Sequence, residues 1–411
     1  MVRKKSNSPS AEDAMLINPP YSARHWTGFS IVLAGLMLMM ASASAPSPFY
    51  PALQQDIGFS DLAMTGIFAV YTLFLLAVLL TAGSSSDHLG RRPVLSVGFA
   101  LLAAALVLFE EATTVEGLLF ARALQGVACA LLLSTLSATL VDLEPPSRPG
   151  LAAIANSVIP LAGLALGALV SGFVMGIAVA PKLDIFGGLA LLCVVLTVAV
   201  WALPETSPRH EGFLAALRPR LGLPEQARAA FWRAAPAIIA GWATGGLYLS
   251  LGAPIMARVF GLHSTFIQAF VVTLLAGTGA LACFFARAYN PRQITLAGTA
   301  ALAFGILLTL VGMGLVSLPL YLVALGVAGM GFGTCFYGSL RTLIPLSAPD
   351  ERGELFASLL TLSYLAFGAP TLLAGLLLPV LGLTVTATGY GLLIVLLAAA
   401  AYVARKVSGQ S

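Results

Sequence analysis

Charge is what this chain has least of. Of its 411 residues only 9% are Asp, Glu, Lys or Arg, against 59% hydrophobic. A soluble domain carries roughly 25% charged and 45–50% apolar residues. So few charges could not cover so much apolar surface, which excludes the two or three soluble domains that length alone would suggest. The bilayer has to be the solvent. Net charge is +4, with no basic stripe on a polar face, so a nucleic-acid partner is not expected. Cysteine is scarce: Cys129, Cys193, Cys283 and Cys335 each lie in an apolar run without metal-ligand spacing. They read as small core residues, and neither a metal nor a cofactor is expected. Paired intramembrane carboxylates, a His-rich cluster, His-Glu-x-x-His and Gly-x-Ser-x-Gly are all missing, so an intramembrane enzyme has no support. Nor is there a filter or charged ring for a channel. Arg3, Lys4 and Lys5 lead into a polar stretch rather than an apolar one, so residues 1–25 are expected to be a tail and not a signal peptide.

What is abundant is long apolar runs. A spanning helix needs ~20 mostly apolar residues. Such runs start near Trp26, Ala63, Pro93, Glu116, Leu151, Phe186, Ala235, Thr265, Ile294, Leu318, Leu355 and Leu383. In lipid the backbone must satisfy itself, and the runs lack period-2 alternation, so an all-α membrane protein of about twelve spans is expected. Lys and Arg cluster in alternate connections, including Arg91-Arg92, Arg148, the loop with Arg209 and Arg233, and the end with Arg405-Lys406; the other set holds only Lys182 and Arg258. By the positive-inside rule both termini should be cytoplasmic.

The most polar internal stretch, 204–233, divides a first six-span bundle (26–203) from a second (234–405), with a short tail at 406–411. It reads either as a tether or as a helix lying on the membrane surface. The halves look related. Arg91-Arg92-Pro93 and Pro291-Arg292-Gln293 occupy corresponding connections, as do Pro146–Gly150 and Pro349–Gly353, in each case about 200 residues apart. Such a repeat is a frequent plan of transporters, with the substrate site between the halves near the midplane.

Three motifs stand out. Gly83-Ser-Ser-Ser-Asp87-His88-Leu89-Gly90-Arg91-Arg92-Pro93 lies between spans 2 and 3. Its glycines permit a tight turn, Asp87 can pair with an Arg or a helix N-terminus, and Arg91 and Arg92 can meet an anionic leaflet. Arg122-Ala-Leu-Gln125-Gly126 lies in span 4. A charge there is costly and faces a cavity or a partner, and Gln125 shares its face. Arg122 could hold an anionic group, or be tied to backbone carbonyls as a packing device. Gly163, Gly167 and Gly172 in span 5 suit close helix packing.

The first motif resembles the signature loop of the major facilitator superfamily, the second its Arg-x-x-Gln-Gly element. The third is similar to the antiporter motif of the 12-span drug:proton antiporter branch, with Ala168 where that motif has Pro. The resemblance implies the major facilitator fold of two pseudo-symmetric six-helix bundles working by alternating access. It also implies a plasma (inner) membrane location and a monomer. The first loop would be the conformational switch (Gly83, Asp87, Gly90, Arg91, Arg92). Spans 1, 2, 4, 5, 7, 8, 10 and 11 would surround the substrate cavity. On these spans Met39, Asn156, Trp242, Tyr248, Gln268, Tyr337 and Tyr364 are the candidate lining, suited to lipophilic or amphipathic compounds. The leading expectation is proton-coupled export of such small molecules. No span carries a central Asp or Glu, which leaves Asp61 and Asp87 as candidate proton carriers. The competing expectations are uptake or exchange of a small organic anion or metabolite paired with Arg122, and, from another class, a non-transporting membrane sensor.

Overall fold

A computed structural model of the chain describes residues 23–217, 222–348 and 352–407. The N-terminal Arg3, Lys4 and Lys5, the loop residues Arg218 and Arg220, Asp350 and Glu351, and the last four residues lie outside the described residues.

Eleven helical stretches among the described residues are long and apolar enough to cross a membrane. In chain order the first ten spanning helices are α1 (Ala23–Ser44), α2 (Asp61–Ala82), α3 (Arg91–Glu111), α4 (Val115–Asp142), α5 (Leu151–Ile177), α6 (Gly188–Ala199), α7 (Glu225–Arg258), α8 (Thr265–Ala286), α9 (Pro291–Gly314) and α10 (Leu318–Leu343). The last stretch, Arg352–Val407, has 56 residues. At ~1.5 Å per residue it would be far longer than a ~30 Å hydrocarbon core. It is two helices, because Gly382 has φ 76° and ψ 167°, a conformation that only glycine adopts without strain. The chain doubles back there, bringing Thr371 Oγ1 and Tyr390 OH to 3.3 Å. We call the two arms α11 (352–381) and α12 (383–407), giving twelve crossings.

Local chemistry sets several boundaries. Ser60 caps α2 by accepting from the Ala63 N–H, Thr114 caps α4 through Gly117 N–H, and Asn290 caps α9 through Gln293 N–H ahead of Pro291. α7 starts at Glu225 rather than at the apolar run near Ala235. Pro224 precedes it, Glu225 suits the positive N-terminal end, and Ala-rich sequence extends the helix beyond the membrane thickness. In the polar connection before it the described residues hold one short helix, Phe213–Ala216.

The two halves repeat one packing scheme. α3 packs on α4 and α6, and α9 on α10 and the last hairpin. The halves meet through α5 against α8 and α2 against α11. We call the face bearing the α2–α3, α4–α5, α6–α7, α8–α9 and α10–α11 connections the basic face, and the other the opposite face. A large core cluster draws Leu249, Val272, Leu360, Tyr364 and Phe367 of the second half onto the first. Near the basic face the second half has its own cluster, including Phe231, Leu343 and Leu355, without a residue of the first half.

Candidate functional site

The loop expected to act as a switch folds as a short helix, Ser85–Leu89, ended by Gly90 at φ 110°, which lets α3 start at once with Arg91. Arg91 is 6% exposed. Its Nη1 donates to Asp87 Oδ1 (2.5 Å) and to Ser86 Oγ (2.7 Å), and its Nε to Asp142 Oδ2 at the end of α4 (3.1 Å). A buried guanidinium shared by two carboxylates is a charge-assisted network, stronger than neutral hydrogen bonds.

Sequence reasoning missed a third carboxylate. Glu205, in the connection after α6, accepts from the backbone N–H of Arg91 (2.8 Å) and of Arg92 (3.3 Å). It thereby caps the N-terminus of α3. Burial raises the pKa of Glu205, but the bonds from Arg91, Ser207 and Arg92 and the Arg92 charge outweigh it and hold the carboxyl below its ordinary value. The same connection binds the loop elsewhere: His210 N–H donates to the Asp87 carbonyl, Ser207 Oγ to the Ser86 carbonyl, and Thr206 Oγ1 to Asp142. The one available signal was an acidic residue in a stretch otherwise rich in Arg. Gly83 closes α2, its N–H donating to the Leu79 carbonyl.

Arg122 is 1% exposed, and none of the three ion pairs among the described residues includes it. Its Nη1 donates to Gln125 Oε1 (2.5 Å) and reaches the Ala43 carbonyl (3.5 Å), while Gln125 Nε2 donates to the Ser42 carbonyl (2.8 Å). These carbonyls belong to the last turn of α1, which ends at Ser44. The cation thus sits at the negative end of a helix. It also lies 4.7 Å from the Tyr71 ring centroid and 5.9 Å from that of Phe68, an arrangement worth about 2 kcal/mol when desolvated. Gly126 allows the approach of α4 to α2: a Cβ there would run into the Tyr71 carbonyl and come within 3.0 Å of Leu75 N.

The aromatic contacts continue from one half to the other. Phe68 of α2 packs on Phe367 of α11 (5.0 Å between centroids), and Trp242 of α7 meets Tyr364 (4.8 Å), Phe336 (5.6 Å) and Phe367 (6.0 Å). Arg122, Tyr71, Phe68, Phe367, Trp242, Tyr364 and Phe336 form one chain of contacts through both halves. Of the candidate lining only Trp242 and Tyr364 belong to it. Phe68, Tyr71, Phe336 and Phe367 were missed because aromatic residues are common in spans, and periodicity does not tell which of them face a neighbouring bundle.

The other candidates are dispersed. Met39 is buried in the first half's core. Asn156 Nδ2 donates to the Ser137 carbonyl (3.3 Å), holding α5 to α4. Tyr248 OH pairs with Thr309 Oγ1 of α9 (2.9 Å), inside the second half. Tyr337 clusters with Cys283 and Ile294 under Arg341. Gln268 lines a cavity of about 520 Å³ at the opposite face, with Gln54, Gln55, Arg258 and His263. The span-5 glycines divide their work. A Cβ at Gly163 would come within 2.6 Å of the Met37 carbonyl on α1, and one at Gly172 within 2.9 Å of the Thr265 carbonyl on α8. The helix carries Pro160 in its interior, one turn before Gly163.

Asp61 is paired across the halves. It binds Arg258 at both oxygens (2.9 and 3.0 Å) and accepts from Gln54 Nε2 (2.8 Å).

Two six-helix bundles, meeting at an aromatic cluster with a buried cation, form the architecture of a two-bundle membrane transporter. Residues 32–370 match the Major Facilitator Superfamily, and the chain belongs to that family. The chain is similar to "Puromycin resistance protein pur8" of Streptomyces alboniger (30% identical; 42% of this chain, 34% of the relative). It is also similar to the "Probable actinorhodin transporter" of Streptomyces coelicolor (28%; 47% and 34%) and the "Multidrug efflux pump LfrA" of Mycolicibacterium smegmatis (33%; 36% and 30%). The match spans about a third of the length of these relatives. Among solved structures the human organic anion transporter MFSD10 shares the fold, with a TM-score of 0.68 at 18% identity, over 92% of this chain and 99% of that one.

Proposed function

We propose that this transporter exports small lipophilic or amphipathic compounds by alternating access, in exchange for protons. It would act as a monomer in the plasma membrane, with the basic face and both termini cytoplasmic. The observation that carries this reading is the aromatic cluster shared by both halves. Trp242, Phe367, Phe68 and Tyr364 offer large apolar faces and few hydrogen-bonding groups, which selects for shape and hydrophobicity. Relatives named for resistance, efflux and export support the direction. The Asp87–Arg91–Asp142 network would be the conformational switch on the cytoplasmic side.

The test uses purified protein in liposomes, a fluorescent lipophilic cation and an imposed pH gradient. Movement that follows the gradient and falls about tenfold in Asp87→Asn is the expected result. Gradient-independent movement would overturn proton coupling.

A second reading has one observation in its favour. Arg122 is a buried cation with no carboxylate partner among the described residues, and a bound organic anion would supply one. Anion transport that continues at an unchanged rate in Arg122→Ala would dispose of it.

A further inference from the structure

Between the midplane and the opposite face, four polar contacts between described residues join the halves. Thr273 Oγ1 donates to the Ala165 carbonyl, Thr265 Oγ1 to the Gly172 carbonyl and Ser47 Oγ to the Leu249 carbonyl. The outermost is the Asp61–Arg258 pair, the one contact of the four with charge on both sides.

Its construction differs from that of a chance surface pair. The guanidinium meets the carboxylate with two donors, Nη1 to Oδ2 and Nη2 to Oδ1, the planar fork geometry that adds direction to attraction. Gln54 Nε2 holds Oδ1 from a third side, so the carboxylate is oriented before Arg258 arrives. Asp61 is the first residue of α2 and Arg258 the last of α7. Each charge is favoured by its own helix dipole. Arg258 and Gln54 also line the 520 Å³ cavity together with Met175 and Gln268, so two of the three side chains in this contact border that cavity.

We infer that Gln54, Asp61 and Arg258 form an electrostatic clasp that holds the opposite face shut and whose release gates the way from the aromatic cluster to that face. The inference rests on the alternating-access reading above and deepens it. The Arg258 side chain is 46% exposed and that of Asp61 20%. Such a pair holds weakly, which suits a contact broken in every cycle.

The experiment reads closure and needs no substrate. Val272, 1% exposed in the cluster that joins the halves, is replaced by the nearly isosteric Cys. Its reaction with a hydrophilic maleimide is timed on full-length protein in lipid nanodiscs, against a control without Val272→Cys. Asp61→Asn and Arg258→Gln are each expected to speed labelling about two- to fivefold. The exchange Asp61→Arg with Arg258→Asp should slow labelling again to below the rate of either single variant, though not fully to the parent rate, because each swapped charge faces the unfavourable end of its helix. Unchanged labelling in both single variants overturns the clasp, as does an exchange variant as fast as the single ones. A purely structural role would lower thermal stability in all three variants without this pattern of rescue. Asp61→Asn keeps the shape and the acceptor for Gln54, so it reports even where charge reversal prevents folding. A failure of gradient-driven export would leave these rates untouched, so the two readings fail separately.

Discussion

Positions 200 apart place the two halves side by side at the basic face. In the first half Arg91 is surrounded by Asp87, Asp142 and Glu205. The corresponding positions of the second half hold Pro291, Arg287, Thr342 and Arg405. There Arg405 donates to Thr342 Oγ1 (2.6 Å), Arg341 reaches the carbonyls of Arg287 and Tyr289, and Arg287 lies over the Phe284 ring. One half has a cation among acids; in the other these contacts tie cations to hydroxyl, carbonyl and ring. A shared fold constrains helix packing but leaves the chemistry of a connection free, so one copy of a duplicated loop can keep a charge network while the other becomes a fastening.

The comparison is sharpest at a glycine. Gly126 and Gly326 correspond, yet a Cβ at Gly326 would meet nothing closer than 3.8 Å, and the second half makes its close approach at Gly329. Gly126→Ala should cost about 1–3 kcal/mol by overpacking, and Gly326→Ala should stay within about 0.5 kcal/mol. Thermal unfolding of both variants in the same detergent checks this, and equal losses would break the asymmetry.

Charge comes next. Asp87→Asn should reduce transport about tenfold, the effect of roughly 1.4 kcal/mol, since it leaves a buried guanidinium short of one partner. Arg287→Gln should change it less than about twofold, because that cation is exposed. Rates in proteoliposomes at matched protein density decide between them.

α7 allows a comparison within one helix. Trp242 packs on Phe367, which itself meets Phe68 of the first half, whereas Tyr248 bonds Thr309 inside its own half. Trp242→Ala should weaken the apparent affinity for a lipophilic substrate about fivefold. Tyr248→Phe should leave affinity alone and cost about 0.5–1.5 kcal/mol of stability for one hydrogen bond. Concentration dependence of transport, with unfolding curves, separates the two.

The smallest effect concerns acidity. The folded-state pKa of Glu205 lies below its ordinary value, so its contribution is fully present above that ordinary value. It fades as pH falls through the depressed one. Proteolysis of the 203–212 connection should therefore quicken under acid. In Glu205→Gln it should be quicker at neutral pH and change less with acidification.

Much of this architecture was legible in advance. Apolar runs longer than a soluble protein can hide announced the spans, and the Lys/Arg bias announced the pairing of connections. The Asp87–Arg91 contact was readable because both residues sit in one short loop. Glu205 was not, since its partner lies 114 positions earlier and nothing local marks the approach. α7 begins before its apolar run because Ala-rich, Pro-started sequence is helical in water as well as in lipid, and hydropathy registers only the membrane part.

By itself the sequence determined the solvent, the number of crossings, the duplication and the presence of a buried cation at Arg122. These follow from composition and local spacing. Only the tertiary structure decided that Arg122 faces the end of α1, that Trp242 meets Tyr364 and Phe367 while Tyr248 turns away, and that Asp61 reaches across to Arg258. The last two depend on the rotation and approach of separate helices. That is set by close contacts such as those at Gly126 and Gly172, summed over whole helix faces and invisible to any window along the chain.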